Sequence, residues 1–296
     1  MNRQLKILES ADYSERIENG RSSCYIIVNN KLAEDKCMFG FVELREDFDE
    51  ARGLFEKAER RARELGFSRL IGPMNYNTWM SYRWALNDFD VKYYPDCENK
   101  AYHVDFIRRL GYKELYTYRS AHVKTDNKLF PTAETIYRQK LDEGFTFKYF
   151  EGGETYALAD IIFDISKDAF SGGYLYSEIS REEFREIYLS WTRLIPRLEM
   201  IVAFKDGVAA GFSMGYINPQ NPADYISKTT AVRREFQHNK LYLALVYLGY
   251  KHIIGLGYSD VVYHFECEQR STFRRFDSNT ESNEKRYAVF VKELDA

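Results

Sequence analysis

The feature that most constrains the fold is a pattern of elements that occurs twice along the chain. In residues 38–123 and again in residues 200–294, strand-like runs precede a long helix, a buried strand, a shorter helix and a last strand. Alternation of strands and helices at this spacing is typical of α/β domains. The two copies share no residue-by-residue identity. The sequence therefore predicts an α/β fold of two similar domains in tandem, each a mixed, twisted sheet flanked by helices.

A polar segment between the two copies predicts the domain boundary. Residues 124–131 contain Thr, Asp, Asn and Lys before Pro131, a composition that favours a connecting loop. We place the boundary near residue 128, which gives an N-terminal domain at residues 1–128 and a C-terminal domain at residues 129–296.

Apolar periodicity predicts the elements of the N-terminal domain. In residues 48–65, apolar side chains recur at spacings of three and four, which indicates an amphipathic helix that ends at Gly66. The other predicted elements are strands at 23–28, 38–44, 67–71 and 114–123 and a helix at 98–110.

The C-terminal domain contains a clear hairpin signal, since Asp206-Gly207 between two apolar runs suits a type I′ turn. A very apolar segment at residues 240–256 predicts a core helix. The other predicted elements are helices at 133–141, 155–170, 181–195 and 269–276 and strands at 145–150, 200–204, 208–217, 225–232, 260–267 and 287–294.

Charge and composition exclude several kinds of partner. Lys and Arg number 42 against 45 Asp and Glu, so the chain lacks the basic excess that binds a nucleic-acid backbone. The longest apolar stretch, residues 241–249, is too short to span a bilayer, and no apolar signal core follows the first residues. The cysteines and histidines lack metal-ligand or disulfide spacing. We therefore expect a reduced, cytoplasmic, metal-free protein that binds neither nucleic acid nor membrane.

The most informative stretch reads Val-Arg-Arg-Glu-Phe-Gln-His-Asn-Lys-Leu, at residues 232–241, between a strand and the apolar helix. It resembles the coenzyme A loop of the GNAT superfamily of acyl-CoA-dependent N-acyltransferases, where Gln/Arg-x-x-Gly-x-Gly/Ala opens the main helix. A helix N-terminus presents unpaired N–H groups and partial positive charge, which suits a phosphate. The resemblance covers about residues 145–294. It implies that acetyl-CoA or another acyl-CoA is the co-substrate, held by Val232, Gln237, His238, Asn239, Lys240 and Leu241.

The chain departs from this family pattern at several points. Lys240 and Tyr242 occupy the glycine positions, and a Cβ there obstructs close approach of the backbone to a phosphate. The predicted helix at residues 269–276 lacks the Tyr with which the family commonly protonates the leaving thiolate. In the N-terminal domain, residues 44–55 contain four acidic residues at the helix start, which repel phosphate. We therefore expect a non-catalytic N-terminal domain.

The strand at residues 260–267 holds the candidate catalytic residues. Strict alternation of side chains puts His264 and Glu266 on one face and Cys267 on the other. Either His264 or Glu266 could deprotonate an acceptor amine, and Cys267 is not expected to act as a nucleophile. The alternative is a His264 that is hydrogen-bonded in the core and a Glu266 that is exposed.

Two aromatic groups are candidates for substrate binding. The resemblance places acceptor binding at Tyr174 and Tyr176, beside Gly172-Gly173, which would let the loop move. Asn75, Trp79 and Arg83, spaced by four, would share one face of a helix, where an Arg beside a Trp suits a carboxylate or simple stacking. In both groups a structural role is the alternative.

These observations leave two main functional hypotheses. The first is an N-acyltransferase that moves an acyl group, by expectation acetyl, from a coenzyme A thioester to an amine of a small molecule or peptide. The second is a catalytically silent GNAT-like protein that binds a small molecule or peptide in an aromatic cleft between the halves. A transferase with another acyl or aminoacyl donor is a third. The acceptor, the acyl chain length and the oligomeric state stay open.

Overall fold

The computed structural model describes residues 3–268 and 284–294. Its α-helices are α1 (Arg3–Ser10), α2 (Phe48–Glu64), α3 (Ala101–Arg109), α4 (Leu129–Asp142), α5 (Ala159–Phe170), α6 (Arg181–Thr192), α7 (Arg234–Gln237) and α8 (Leu241–Gly255), and a 3₁₀-helix covers Gly152–Leu158. The predicted helix at residues 269–276, with its missing Tyr, lies outside the described residues.

The strands are β1 (Tyr13–Asn19), β2 (Ser22–Val28), β3 (Cys37–Glu43), β4 (Arg69–Gly72), β5 (Trp84–Ala85), β6 (Lys113–Lys124), β7 (Phe145–Glu151), β8 (Leu198–Lys205), β9 (Val208–Ile217), β10 (Tyr225–Val232), β11 (Asp260–Cys267) and β12 (Lys285–Glu293). In the described residues they form one mixed sheet in the order β1-β2-β3-β4-β12-β6-β11-β10-β9-β8-β7, and β5 pairs with β12. The predicted fold class, an α/β fold with helices flanking a mixed sheet, is confirmed.

The two halves meet in the middle of this sheet through an exchange of their last strands. β6, the last strand of the first half, pairs with β11 of the second half on one side and with β12 on the other. β12, near the chain end, also pairs with β4 of the first half. The expectation of a separate sheet in each half is therefore wrong, because each half's last strand completes hydrogen-bond pairing with the other half. The domain boundary near residue 128 stays a prediction.

Helices cover both faces of the sheet in the second half. Met200 and Val202 of β8 pack with α5 and α6, whereas Ile201 and Ala203 pack with α8. Because successive side chains of a strand point to opposite faces, α5 and α6 lie on one face and α8 on the other. α4 packs against α8. The cavity described below lies on the face that α5 and α6 cover, whereas α8, at whose start coenzyme A binding is predicted, packs on the other face.

Local sequence explains how the best-predicted elements begin and end. The Asp47 carboxylate accepts a hydrogen bond from the Glu50 N–H at 3.0 Å and so caps the first turn of α2. Gly66, with φ +86°, follows the helix in the left-handed conformation that glycine adopts without strain. Asp206 and Gly207, with φ +50° and +81°, make the tight turn between β8 and β9.

Candidate active site

A cavity of about 900 Å³ lies between the two halves, on the face of the sheet that α5 and α6 cover. The first half contributes residues of β3, of the segment 73–99, of α3 and of β6. The second half contributes residues of β9, β10 and β11, of α5 and α6, and of the loop between these helices. Much of the lining is aromatic.

The cavity reaches the sheet where β10 and β11 cease to pair. Their parallel ladder consists of Ile226 with Val262 and Ser227 with Tyr263. The register of β10 against β9 shifts between Ser227 and Thr229, so Lys228 is the extra residue of a bulge. Lys228 and Thr229 line the cavity from β10.

A second irregularity places the side chains of β11. The register of β11 against β6 shifts between Tyr263 and Glu266, and Phe265 has φ +61°, an uncommon value for a residue other than glycine. His264, Phe265 and Cys267 line the cavity, but Glu266 is not among the lining residues. The prediction that His264 and Glu266 share one face is therefore wrong, because the bulge interrupts the alternation.

Glu266 is engaged in an ion pair away from the cavity. Its Oε2 accepts a hydrogen bond from Arg119 Nε at 2.8 Å, and the side chains of Glu266 and Arg119 are 12% and 6% exposed. Arg119 also pairs with Glu284. The ion pair holds the Glu266 carboxylate at Arg119, and Glu266 is not among the residues that line the cavity. Its role as catalytic base stays a prediction.

His264 is buried, and both of its ring nitrogens are hydrogen-bonded. Since Nε2 lies 2.9 Å from the Pro95 carbonyl, Nε2–H must be the donor, which leaves Nδ1 to accept from Ser120 Oγ at 2.8 Å. Burial and the nearby Lys228 hold the pKa of His264 well below its usual value, so the ring is neutral. A base role stays a prediction, and it would require one of these bonds to break.

Tyr174 and Tyr176 both line the cavity, and each packs against the first half of the chain. The Tyr174 hydroxyl donates to Asp35, and its ring stacks on Tyr116 with centroids 3.9 Å apart. Burial and Asp35 raise the pKa of Tyr174, which keeps the hydroxyl protonated. The Tyr176 ring lies 5.7 Å from that of Trp79. Their loop is thus held in place, and their role in substrate binding stays a prediction.

Asn75, Trp79 and Arg83 line the cavity, but they do not share a helix face as predicted. The segment is irregular, with φ +97° at Tyr76 and +70° at Arg83, and a helix cannot form through such residues. The Arg83 guanidinium instead lies among aromatic rings. Its Cζ is 3.7, 4.2 and 3.9 Å from the ring centroids of Tyr82, Tyr118 and Phe265, respectively.

Lys228 is the functional candidate that sequence reasoning missed. It is half-buried in the cavity, and its Nζ lies 5.6 Å from the Phe265 ring centroid. In the parts of the chain that the structure describes, it has no hydrogen-bond or ion-pair partner. Burial, with a smaller contribution from Arg83, lowers its pKa from 10.5 to about 8. The sequence did offer a signal for Lys228, because charged residues are uncommon in the middle of a strand that lies inside a sheet.

The residues predicted to hold coenzyme A extend from the end of β10 through α7 to the start of α8, and none of them lines the cavity. Lys240 has φ +63°, the left-handed conformation that glycine adopts without strain. The Gln237 amide donates to the Val232 carbonyl at 3.0 Å, and the Leu241 N–H donates to Asn239 Oδ1 at 3.1 Å. His238 is exposed. Coenzyme A binding at these residues stays a prediction.

No family model and no curated protein sequence matches the chain. Among solved structures, it is similar to a tandem GNAT protein from the clavulanic acid biosynthesis pathway, at 12% identity and a TM-score of 0.51. That match covers 93% of this chain and 79% of the other. The chain has a GNAT-like tandem fold.

The chain is also similar to two further solved structures. One is a conserved protein of unknown function from Enterococcus faecalis V583, described as a probable N-acyltransferase, with 10% identity, a TM-score of 0.51, and coverage of 96% of this chain and 58% of that one. The other contains the glucosamine N-acetyltransferase region of a fungal multi-domain GH3 β-N-acetylglucosaminidase, with 11% identity, a TM-score of 0.50, and coverage of 98% and 34%. At these identities the likeness concerns the fold alone.

In this GNAT-like fold, the cavity combines aromatic surfaces with two cations that have no acidic partner in the described residues. Asp96 also lines the cavity, but its carboxylate pairs with Lys285 Nζ at 2.7 Å, and both side chains are buried. Within residues 3–268 and 284–294, no cluster of three or more His, Cys, Asp or Glu could hold a metal ion, and no helix is long and apolar enough to cross a membrane. The arrangement is chemically suited to binding an anionic group.

Proposed function

We propose that the protein is an N-acyltransferase that moves an acyl group from a coenzyme A thioester to an amine bound in the cavity between the halves. One observation carries the proposal: the cavity reaches the sheet where β10 and β11 cease to pair, and α8 with its left-handed start at Lys240 packs on the opposite face. A thioester chain held at the start of α8 has a route to the cavity here, because no ladder hydrogen bonds need to break.

The residues of the cavity support direct transfer without a covalent enzyme intermediate. The amine nitrogen attacks the thioester carbonyl carbon, the C–N bond forms, the C–S bond breaks, and the amine proton leaves to solvent or to the thiolate. Arg83 and Lys228 disfavour a further positive charge in the cavity, so they favour the neutral, reactive form of a bound amine. This effect lessens the need for a dedicated base. Positioning of the two reactants supplies much of the remaining rate.

A specific observation favours the second candidate, a catalytically silent binding protein. The α8 start carries a Lys with a Cβ in place of glycine, and side chains of the loop already bond the Val232 carbonyl and the Leu241 N–H. Both features reduce the room for a phosphate. Under this alternative, the cavity binds its ligand and no acyl group is transferred.

Calorimetric titration with acetyl-CoA and longer acyl-CoAs, followed by a thiol-release assay with a panel of amines, separates the two candidates. The proposal expects saturable binding of an acyl-CoA and release of free coenzyme A that depends on an amine. Binding of an amine without binding or consumption of any acyl-CoA would establish the silent protein in its place.

A further inference from the structure

We propose that Arg83 and Lys228 form an anion subsite that binds the carboxylate of an amine-bearing acid, namely an amino acid with an apolar or aromatic side chain. The inference deepens the proposed function by naming the class of acceptor, and in that respect it rests on that function. Anion binding itself is measurable without an acyl donor.

The first argument is that both cations lack compensation. Arg83 Nε donates to the Tyr82 carbonyl at 3.2 Å, but Arg83 Nη1 is buried and has no hydrogen-bond partner in the described part of the chain. Lys228 likewise has no acidic partner there. Burial of an unpaired charged donor costs free energy, and an anion bound in the cavity offsets part of that cost through its charge.

The second argument is that the two cations lie close together. The Arg83 Cζ and the Lys228 Nζ are 3.9 and 5.6 Å from the centroid of the same ring, Phe265. The charge of Arg83 also contributes to the lowered pKa of Lys228. An anion that lies between two like charges attracts both of them, and this attraction offsets their mutual repulsion.

The third argument concerns the shape and chemistry of the ligand. Tyr82, Tyr118 and Phe265 crowd the Arg83 guanidinium, and its Nη1 is buried, so a carboxylate in the cavity meets the charge of the guanidinium rather than this N–H group. The aromatic lining around it suits an apolar side chain. A ligand with amines alone would meet two cations, and the buried acid in the lining, Asp96, is already neutralised by Lys285. The other acids in the lining, Glu43 and Glu98, are exposed.

Calorimetry without acyl donor tests the subsite with four probes of similar size. L-phenylalanine has a carboxylate and an amine, phenethylamine lacks the carboxylate, phenylalaninamide replaces it by a neutral amide, and phenyl phosphate carries a phosphate. We expect phenylalanine to bind at least about tenfold more tightly than phenethylamine and the amide, since hydrogen bonds to charged groups are the stronger ones. Equal affinity for phenylalanine and phenethylamine would overturn the subsite. Preference for phenyl phosphate over phenylalanine would overturn the carboxylate assignment.

Substitutions of Lys228 and Arg83 test whether these two residues bind the carboxylate. Lys228→Met and Arg83→Gln should each weaken phenylalanine binding about 10- to 100-fold and should not weaken phenethylamine binding, because removal of a cation relieves repulsion of the amine. Lys251→Met, the same change at an exposed position on α8, is the matched control and should bind like the wild type. Because Arg83 has a positive φ and stacks on three rings, its variant could misfold, so Lys228→Met decides: unchanged affinity in that variant refutes the proposal.

The outcomes separate this inference from the proposed function. Selective phenylalanine binding without consumption of any acyl-CoA keeps the subsite and refutes the transferase. Acyl transfer to phenylalanine that Lys228→Met leaves unchanged keeps the transferase and refutes the subsite.

Discussion

Lys228 lies half-buried in the cavity, where the charge that acts on it most is that of Arg83, another cation. The folded state therefore disfavours the protonated amine, and its pKa falls from 10.5 to about 8. Below about pH 8 the amine is charged in both the folded and the unfolded chain, so burial of the charge lowers the free energy of unfolding by its full amount. Between about pH 8 and 10.5 the unfolded chain binds more protons, so the free energy of unfolding rises with pH in this window.

We therefore predict that Lys228→Met stabilises the protein at pH 7. One pKa unit corresponds to about 1.4 kcal/mol, and screening of a half-buried amine reduces the effect to an expected gain of about 1–2 kcal/mol. The gain should shrink as the pH rises from 8 to 10, as measured by urea denaturation. Lys228→Arg, which keeps the charge, should give no gain at pH 7. A gain of equal size at pH 7 and pH 10 would contradict the charge argument.

Glu266 illustrates how an ion pair changes the expected effect of a substitution. A catalytic base would lose about 10²–10⁴-fold in rate when changed to Gln. Because Glu266 bonds Arg119 inside the sheet, we expect Glu266→Gln instead to lower the melting temperature and to leave the rate within a few-fold of the wild type. Thermal denaturation and thiol release on the same sample check this. A large rate loss at unchanged stability would instead support Glu266 as the catalytic base.

Among the elements, the start of α8 is the one on which coenzyme A binding depends. Lys240 places a positive charge at this helix N-terminus, where a phosphate would lie. We predict that Lys240→Glu weakens acyl-CoA binding about 5- to 50-fold by calorimetry, since a favourable charge becomes a repulsive one. Lys251→Glu, later in the same helix and exposed, controls for net charge and should have little effect. If the wild type, Lys240→Glu and Lys251→Glu bind acyl-CoA with equal affinity, the coenzyme binds elsewhere or not at all.

The loop between α5 and α6 is held against the first half by a buried hydroxyl. Ser177 Oγ accepts hydrogen bonds from Asn29 Nδ2 at 3.1 Å and from Asn77 Nδ2 at 2.9 Å. Ser177→Ala leaves two buried amide donors unpaired, so we predict a loss of about 1–3 kcal/mol in stability. Limited proteolysis should then cut faster in residues 171–180. Ser171→Ala, at an exposed position of the same loop, should cost less, and equal costs for both would refute the argument.

The exchange of last strands makes the two halves depend on each other. Tyr287, Ala288, Val289 and Phe290 of β12 are all fully buried in the sheet region of the first half. Each large apolar side chain contributes about 1.5–3 kcal/mol, and a whole domain is stable by only about 5–15 kcal/mol.

We therefore predict that residues 1–128 expressed alone do not fold cooperatively, as measured by circular dichroism and thermal denaturation. Co-expression with residues 129–296 should restore a soluble complex that contains both fragments. A cooperatively folding 1–128 fragment would show that the predicted boundary also divides the fold.

Elements with a strong local pattern could be predicted from the sequence, and weakly patterned ones could not. The predicted helices at 48–65 and 240–256 agree with α2 and α8 to within a residue or two at each end. α1 and β1 were missed. β1 has a single buried residue, Ile17, among mostly polar ones, so it offers no clear apolar alternation. The segment 73–99 gave a misleading helical spacing, because its backbone is set by turns.

The sequence by itself determined the fold class and the tandem arrangement, since these depend on periodicity and on order along the chain. Tyr174, Tyr176 and His264, which line the cavity, were singled out with the help of the family resemblance. Only the tertiary structure decided which strand pairs with which, that the bulge at Phe265 turns Glu266 away from the cavity residues, and that Arg83 and Lys228 meet there. Strand partners and bulges arise from contacts between distant residues, and such contacts leave no local period in a single sequence.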